Sequence, residues 1–231
     1  MTTFLFRQKA VLIPLLLLCI ITPFTQKWDL KISHHYYIPG QGIDGKGFNS
    51  PYPFTLLYTF GTLPALLTFF LSFIILIFSC FSLNWEKWKK PTLLLVLSFS
   101  IGSGLMTHAI FKDHWGRPRP KQLKEFGGTQ DFRPYYLPNI FNQEPSKSFP
   151  SGHATMGFYF FSLALVGKRL HLKWLFWAGL IISFGLGGIL SWTRIIQGAH
   201  FLTDTLISAL IMWCSAYYCD RCLYARKSSN Q

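Results

Sequence analysis

The chain reads as all-α, a polytopic membrane helix bundle with six transmembrane helices. Two observations carry that reading. Half of the 231 residues are apolar and 18% are aromatic, while only 13% are charged, which is too few charges for an ordinary soluble domain. The apolar residues also gather into six runs, residues 10–24, 54–83, 91–111, 153–166, 174–192 and 201–218. A membrane-crossing helix needs about 20 predominantly apolar residues.

The second, third, fifth and sixth runs meet that length or come close. The first and fourth are short and borrow flanking residues such as Thr25, Ser151 or Gly167; the competing reading for these two is a buried or re-entrant segment. Residues 1–24 also have the basic-then-apolar look of a signal peptide, with Arg7 and Lys9 ahead of the run. The residues that follow, Thr22 to Trp28, lack a small-x-small cleavage pattern, so an uncleaved first helix is expected. No internal repeat, low-complexity tract or linker divides the chain, and residues 1–231 are expected to form one membrane domain.

Six crossings put both termini on one side. The 22 lysines and arginines then divide evenly between the two faces, but seven of those on the far face come from the single loop 112–150. With that loop set aside, the positive-inside rule places both termini in the cytoplasm and the odd-numbered connections outside. Positive charge concentrated on the outer face calls for an anionic ligand. The net charge of +13 does not point to nucleic acid, because no soluble basic helix interleaved with aromatics is present. It suits anionic lipid head groups instead. The five cysteines lie in the spans or just after the last one, so no extracytoplasmic disulfide framework is implied. The Cys219-x-x-Cys222 pair lacks the βαβ context of a redox motif, and His34-His35 reads as an interfacial pair rather than a metal site.

Three motifs stand where the spans meet the outer loops. Lys112 to Pro120 closes the third span, and Pro118 and Pro120 end the helix. Lys112 and Arg119 would address one anion, the lysine as a point charge and the arginine as a planar fork. Pro150-Ser151-Gly152-His153 opens the fourth span. Ser151 is a candidate N-cap, Gly152 lets an anion approach the first helix amides, and His153 stands ready to give a proton to a leaving oxygen. Arg194 to Asp204 joins the fifth and sixth spans. His200 and Asp204 share a helical face four residues apart. A carboxylate on one imidazole nitrogen would free the other to attack. Taken singly, each motif has a plainer reading: interfacial anchors, an ordinary N-cap, or a His–Asp pair that locks two helices.

Lys112-x6-Arg119-Pro120, Pro150-Ser151-Gly152-His153 and Arg194-x5-His200-x3-Asp204 together resemble the three-part signature of the type-2 phosphatidic acid phosphatase superfamily. One departure is Thr193, where members carry serine; that position is peripheral to the phosphate chemistry. The resemblance implies a six-helix membrane enzyme with an extracytoplasmic site that works without metal or cofactor. It implies that His200 attacks phosphorus, Asp204 orients it and His153 protonates the leaving group. Lys112, Arg119, Ser151, Gly152 and Arg194 would hold the phosphoryl oxygens. The expected partners are a lipid phosphate substrate and membrane lipids, with no nucleic acid and no obligate protein partner. The implied location is a bacterial inner membrane with the site facing the periplasm.

Residues 114–139 and 48–64 further resemble the lipid A 1-phosphatase branch. Undecaprenyl pyrophosphate, phosphatidylglycerol phosphate and phosphatidate are the competing substrates. Phosphotransfer to a second acceptor and lipid-phosphate transport without turnover remain alternative functions, while a soluble haloperoxidase does not fit six apolar runs. Arg133 and Lys147 are expected to contact the head group.

Overall fold

The computed structural model describes residues 2–42, 45, 47–140 and 146–225, with side chains from residue 8 onward. Arg7, Lys46, Arg226 and Lys227, which enter the charge count, lie outside the described side chains.

The described chain is helical. Helix α1 spans Thr2–Tyr36, α2 Phe54–Phe60, α3 Leu63–Phe81 and α4 Glu86–Phe99. A wide-turned π-helical stretch, Ser100–Lys112, continues α4. Helices α5 (Gly152–Phe158) and α6 (Phe161–Arg169) follow the long loop, then α7 (Lys173–Ile196) and α8 (Leu202–Leu223). Four segments are long and apolar enough to cross a membrane: Gln8–Tyr36, Phe54–Phe81, Leu83–Lys112 and Lys173–Ile196. The fourth run divides into α5 and α6. The sixth forms a 22-residue helix whose polar Asp204, Asp220 and Arg221 keep it out of that apolar group.

The first helix departs most from the sequence expectation. The apolar run ends at residue 24, yet the helix continues to Tyr36. One face of this extension is packed, with Thr25, Asp29 and Ser33 each 1% exposed, while Gln26, Lys27, Lys31, His34 and His35 on the other faces are exposed. Thr25 bonds within the helix, to the Thr22 carbonyl at 2.7 Å, and Asp29 is satisfied by Arg117 and Thr203 from distant parts of the chain, so the helix can outlast its apolar stretch.

A core of α4, α5, α6 and α8 residues, including Leu94, Ala154, Tyr159 and Met212, fills the centre. Helices α5 and α7 meet backbone to backbone. A Cβ on Gly157 would fall 2.4 Å from the Gly187 Cα, so only glycine permits this approach, as small residues do at membrane helix interfaces. A second cluster, Phe48, Leu123, Phe126 and Phe201, joins the loop after α1, the loop before α5 and the turn before α8. At the opposite end Arg169 makes a two-pronged pair with Asp220, at 2.7 and 2.6 Å.

Candidate active site

Connections three and five meet at one end of the bundle, as the hydropathy reading requires. Gly198 turns the chain after α7 in the left-handed region, with φ of +58°, a conformation that glycine adopts without strain. The turn folds the amides of Ala199 and His200 back to donate to the Arg194 carbonyl, at 3.1 and 3.3 Å. The Lys121 amide donates to the Gly198 carbonyl at 3.1 Å, which stitches the first motif to the third. Ser151 caps α5, its hydroxyl accepting from the Ala154 amide at 3.4 Å. The Ser151 amide donates to Ser208 on α8 at 2.9 Å, tying the second motif to the third.

The predicted phosphate ligands gather here. A Cβ on Gly152 would lie 3.7 Å from Lys112 Nζ and 2.8 Å from His108 Nε2, so both side chains face the start of α5. Lys112 feels the charges of Arg119 and Arg194. Arg194 is 8% exposed and its Nη1 donates to Gln197 Oε1 at 2.5 Å. Its Nε is buried without a partner. A buried charged donor left unpaired is costly, and here it sits among other cations, the signature of a site built for an anion. Thr193 turns its hydroxyl to the Ile189 carbonyl at 2.8 Å, so the departure from serine leaves the cation cluster untouched.

Tyr58 of α2 joins two of these groups. Its ring stacks on His153 with centroids 5.0 Å apart and 13° between planes, and Arg194 Cζ lies 4.7 Å from the same ring. Tyr58, Arg119, Lys121 and Arg194 line a cavity of about 420 Å³ together with the uncharged Asn49, Ser50, Thr55 and Gln197. A larger apolar groove of about 560 Å³ near Leu17, Phe184 and Trp213 contains none of the motif residues.

His200 is buried, 1% exposed. Its Nδ1 lies 2.5 Å from the Ser148 carbonyl. A carbonyl only accepts, so Nδ1 carries the proton and the lone pair is on Nε2. Burial pushes this imidazole down to about 3, the nearby Arg194 and Lys112 adding to the shift and Asp204 opposing it. The ring is therefore neutral at physiological pH.

Asp204 was expected to orient His200 directly. The carboxylate is instead 3.7 Å from Nδ1, too far for a hydrogen bond. It accepts from the Ser148 hydroxyl at 2.6 Å and the Phe201 amide at 2.8 Å, and it pairs with Arg117. Ser148 thus stands between acid and histidine, its hydroxyl on one and its carbonyl on the other.

Arg117, read from the sequence only as a loop cation, is 0% exposed. Lys147, expected to contact the head group, pairs its ammonium with Asp113 at 2.6 Å, both side chains being half exposed. Arg133 lines a separate polar cavity of about 230 Å³ with Gly116, Gln130 and Asn139.

Comparison with known proteins places these residues in a family. The PAP2 superfamily profile matches residues 93–228. The lipid A 4′-phosphatase of Francisella tularensis subsp. novicida (strain U112) is 32% identical over 165 residues, covering 68% of this chain and 71% of that protein. The lipid A 4′-phosphatase of Rhizobium leguminosarum is 32% identical over 136 residues, 57% of this chain and 52% of the relative. These relatives are named for the 4′ position, and the expected 1-phosphatase branch finds no support among them. No solved structure matches significantly. More than half of the chain falls within the matched profile, so the chain belongs to the PAP2 superfamily, as a membrane phosphatase.

Proposed function

We propose that the protein removes the 4′-phosphate of lipid A at the periplasmic face of a bacterial inner membrane, through a phosphohistidine on His200. The observation that carries this reading is the buried, unpartnered Arg194 Nε amid Lys112 and Arg119. Relatives named lipid A 4′-phosphatase support the substrate. The cavity beside the cations supports it too: the amide and hydroxyl groups of Asn49, Ser50, Thr55 and Gln197 match the hydroxyls of a sugar head group. In this reading α5 with α6, and α8, complete six crossings, both termini are cytoplasmic, and the whole chain is one catalytic domain.

The His200 Nε2 lone pair attacks phosphorus. The phosphorus–oxygen bond to the lipid breaks, and His153 gives its proton to the departing oxygen. Lys112, Arg119 and Arg194, with Ser151 and the Gly152 amide, hold the phosphoryl oxygens as charge builds. Water then attacks the phosphohistidine and passes a proton to His153. The phosphorus–nitrogen bond breaks, inorganic phosphate leaves, and both histidines return to their starting states. No metal or cofactor enters these steps.

The test is phosphate release by the detergent-purified protein in EDTA, from lipid A bearing both the 1- and 4′-phosphates. Mass spectrometry of the product assigns the position lost, and undecaprenyl pyrophosphate and phosphatidylglycerol phosphate serve as competing substrates. Loss of the 4′-phosphate is expected, with no turnover in His200→Ala. Arg194→Lys, which lacks the planar fork, is expected to lower kcat about hundredfold. Loss of the 1-phosphate, preference for another lipid, or unchanged turnover in His200→Ala would overturn the assignment.

A further inference from the structure

A buried charge chain reaches the site from the first helix. Arg117 Nη2 donates to Asp29 Oδ2 at 2.7 Å. Its Nη1 donates to the Thr203 hydroxyl at 2.8 Å and pairs with Asp204, while its Nε donates to the Arg133 carbonyl at 2.9 Å. Asp29 accepts twice more from Thr203, from the amide at 3.0 Å and the hydroxyl at 2.6 Å. The guanidinium also lies 4.3 Å from the Phe201 ring centre. Arg117, Asp29 and Asp204 are 0%, 1% and 0% exposed.

Arg117 holds Ser148 as well, since the Ser148 amide donates to the Arg117 carbonyl at 3.0 Å. Ser148 then carries the arrangement to the nucleophile: its hydroxyl fixes Asp204 and its carbonyl fixes His200 Nδ1. The far end of the chain, Asp29, is in α1 and lies outside the residues that match the family profile, 93–228.

We infer that Asp29 is a positioning residue for His200, acting through Arg117, Asp204 and Ser148. The inference rests on His200 being the nucleophile. Two carboxylates share one guanidinium, so Arg117 holds Asp29 and Asp204 in a fixed arrangement behind the histidine. As His200 Nε2 bonds to phosphorus while Nδ1 keeps its proton, the imidazole gains positive charge. A fixed negative charge behind it favours that state over the neutral ground state, so the contribution falls on kcat rather than KM.

The experiment compares wild type, Asp29→Asn, Thr203→Val and Thr203→Ser as purified full-length proteins, with rates expressed per folded molecule. Inhibition by vanadate, a mimic of the five-coordinate transition state, is measured beside inhibition by inorganic phosphate. Asp29→Asn is expected to lower kcat about tenfold and weaken vanadate by a similar factor, with KM and phosphate inhibition within about twofold. Thr203→Val, which keeps both carboxylates and the backbone bond to Asp29 but removes the hydroxyl bonds to Asp29 and Arg117, is expected to give a smaller loss of the same kind. Thr203→Ser should restore wild-type behaviour, and the Thr203 pair carries the test if Asp29→Asn does not fold. A lowered melting temperature with unchanged kcat and vanadate inhibition would overturn the proposal, as would equal weakening of vanadate and phosphate. Absence of turnover in the wild type would instead sink the phosphatase reading, and the proposal with it.

Discussion

His200 shows how burial and chemistry interlock at a single side chain. The imidazole takes a proton near pH 6.5 in an unfolded chain, but burial pushes it down to about 3 in the folded one. Above pH 6.5 both states are neutral and the group has no effect on stability. Between pH 6.5 and 3 the unfolded chain binds a proton that the folded chain refuses, so stability falls as pH falls. The slope is at most about 1.4 kcal/mol per pH unit. The melting temperature in detergent is expected to drop from pH 7 to pH 4, and His200→Gln should lessen the drop; equal slopes in both proteins would refute this origin. The same scale shows what the sequence could convey. Lys112, Arg119, Ser151, His153, Arg194, His200 and Asp204 were legible because short spacings link them in motifs. Asp29 and Arg117 were not, since they are 88 residues apart. A signal was present: an acid just past an apolar run is a functional hypothesis in the same sense as Asp204. Tyr58 and His108 gave none, because an aromatic or histidine at a span end reads as an interfacial residue until its neighbour is seen.

Among the elements, the α5–α7 contact sets how near the second motif stands to the third. A methyl group on Gly157 would meet Gly187 backbone atoms at 2.4 Å, whereas one on Gly185 of the same partner helix meets nothing within 4 Å. Backbone cannot swing aside as a side chain can. Gly157→Ala is therefore expected to cost about 1–3 kcal/mol, read as a lower melting temperature, with Gly185→Ala as the near-neutral control. Equal effects at the two positions would refute the close-packing account. Hydropathy located the six helical regions but missed the turn at Gly61 and Thr62 between α2 and α3 and misjudged two other regions. It ended α1 at the last apolar residue, blind to polar partners that come from elsewhere in the chain. It also read residues 153–166 as one helix, where the backbone breaks at Tyr159 and Phe160 between α5 and α6.

For the whole molecule, charge distribution makes a topological claim. Thr129, exposed in the basic loop, and Lys173, exposed at the start of α7, are at opposite ends in the proposed orientation. In a background without the five native cysteines, a membrane-impermeant maleimide added from the periplasmic side is expected to label Thr129→Cys and spare Lys173→Cys. The reverse pattern would place the site in the cytoplasm. The helical class and its membrane character follow from composition and the lengths of the apolar runs. The division of the end loops into a cation-lined cavity and a buried charge chain does not, because it depends on contacts between helices distant in sequence.

The reach of α1 into the charge chain also bears on biogenesis. Helix α1, which supplies Asp29, leaves the ribosome before Arg117, Thr203 and Asp204. An early helix must therefore wait in the bilayer with an unmatched acid until the rest of the protein arrives. A fragment covering residues 93–228 would contain every phosphate ligand and yet leave Arg117 short of one counter-ion. Rebuilding the site from such a fragment would take α1 for the charge chain and also Tyr58 and its neighbours for the cavity wall, so the helices ahead of the matched region are parts of the site rather than mere anchors.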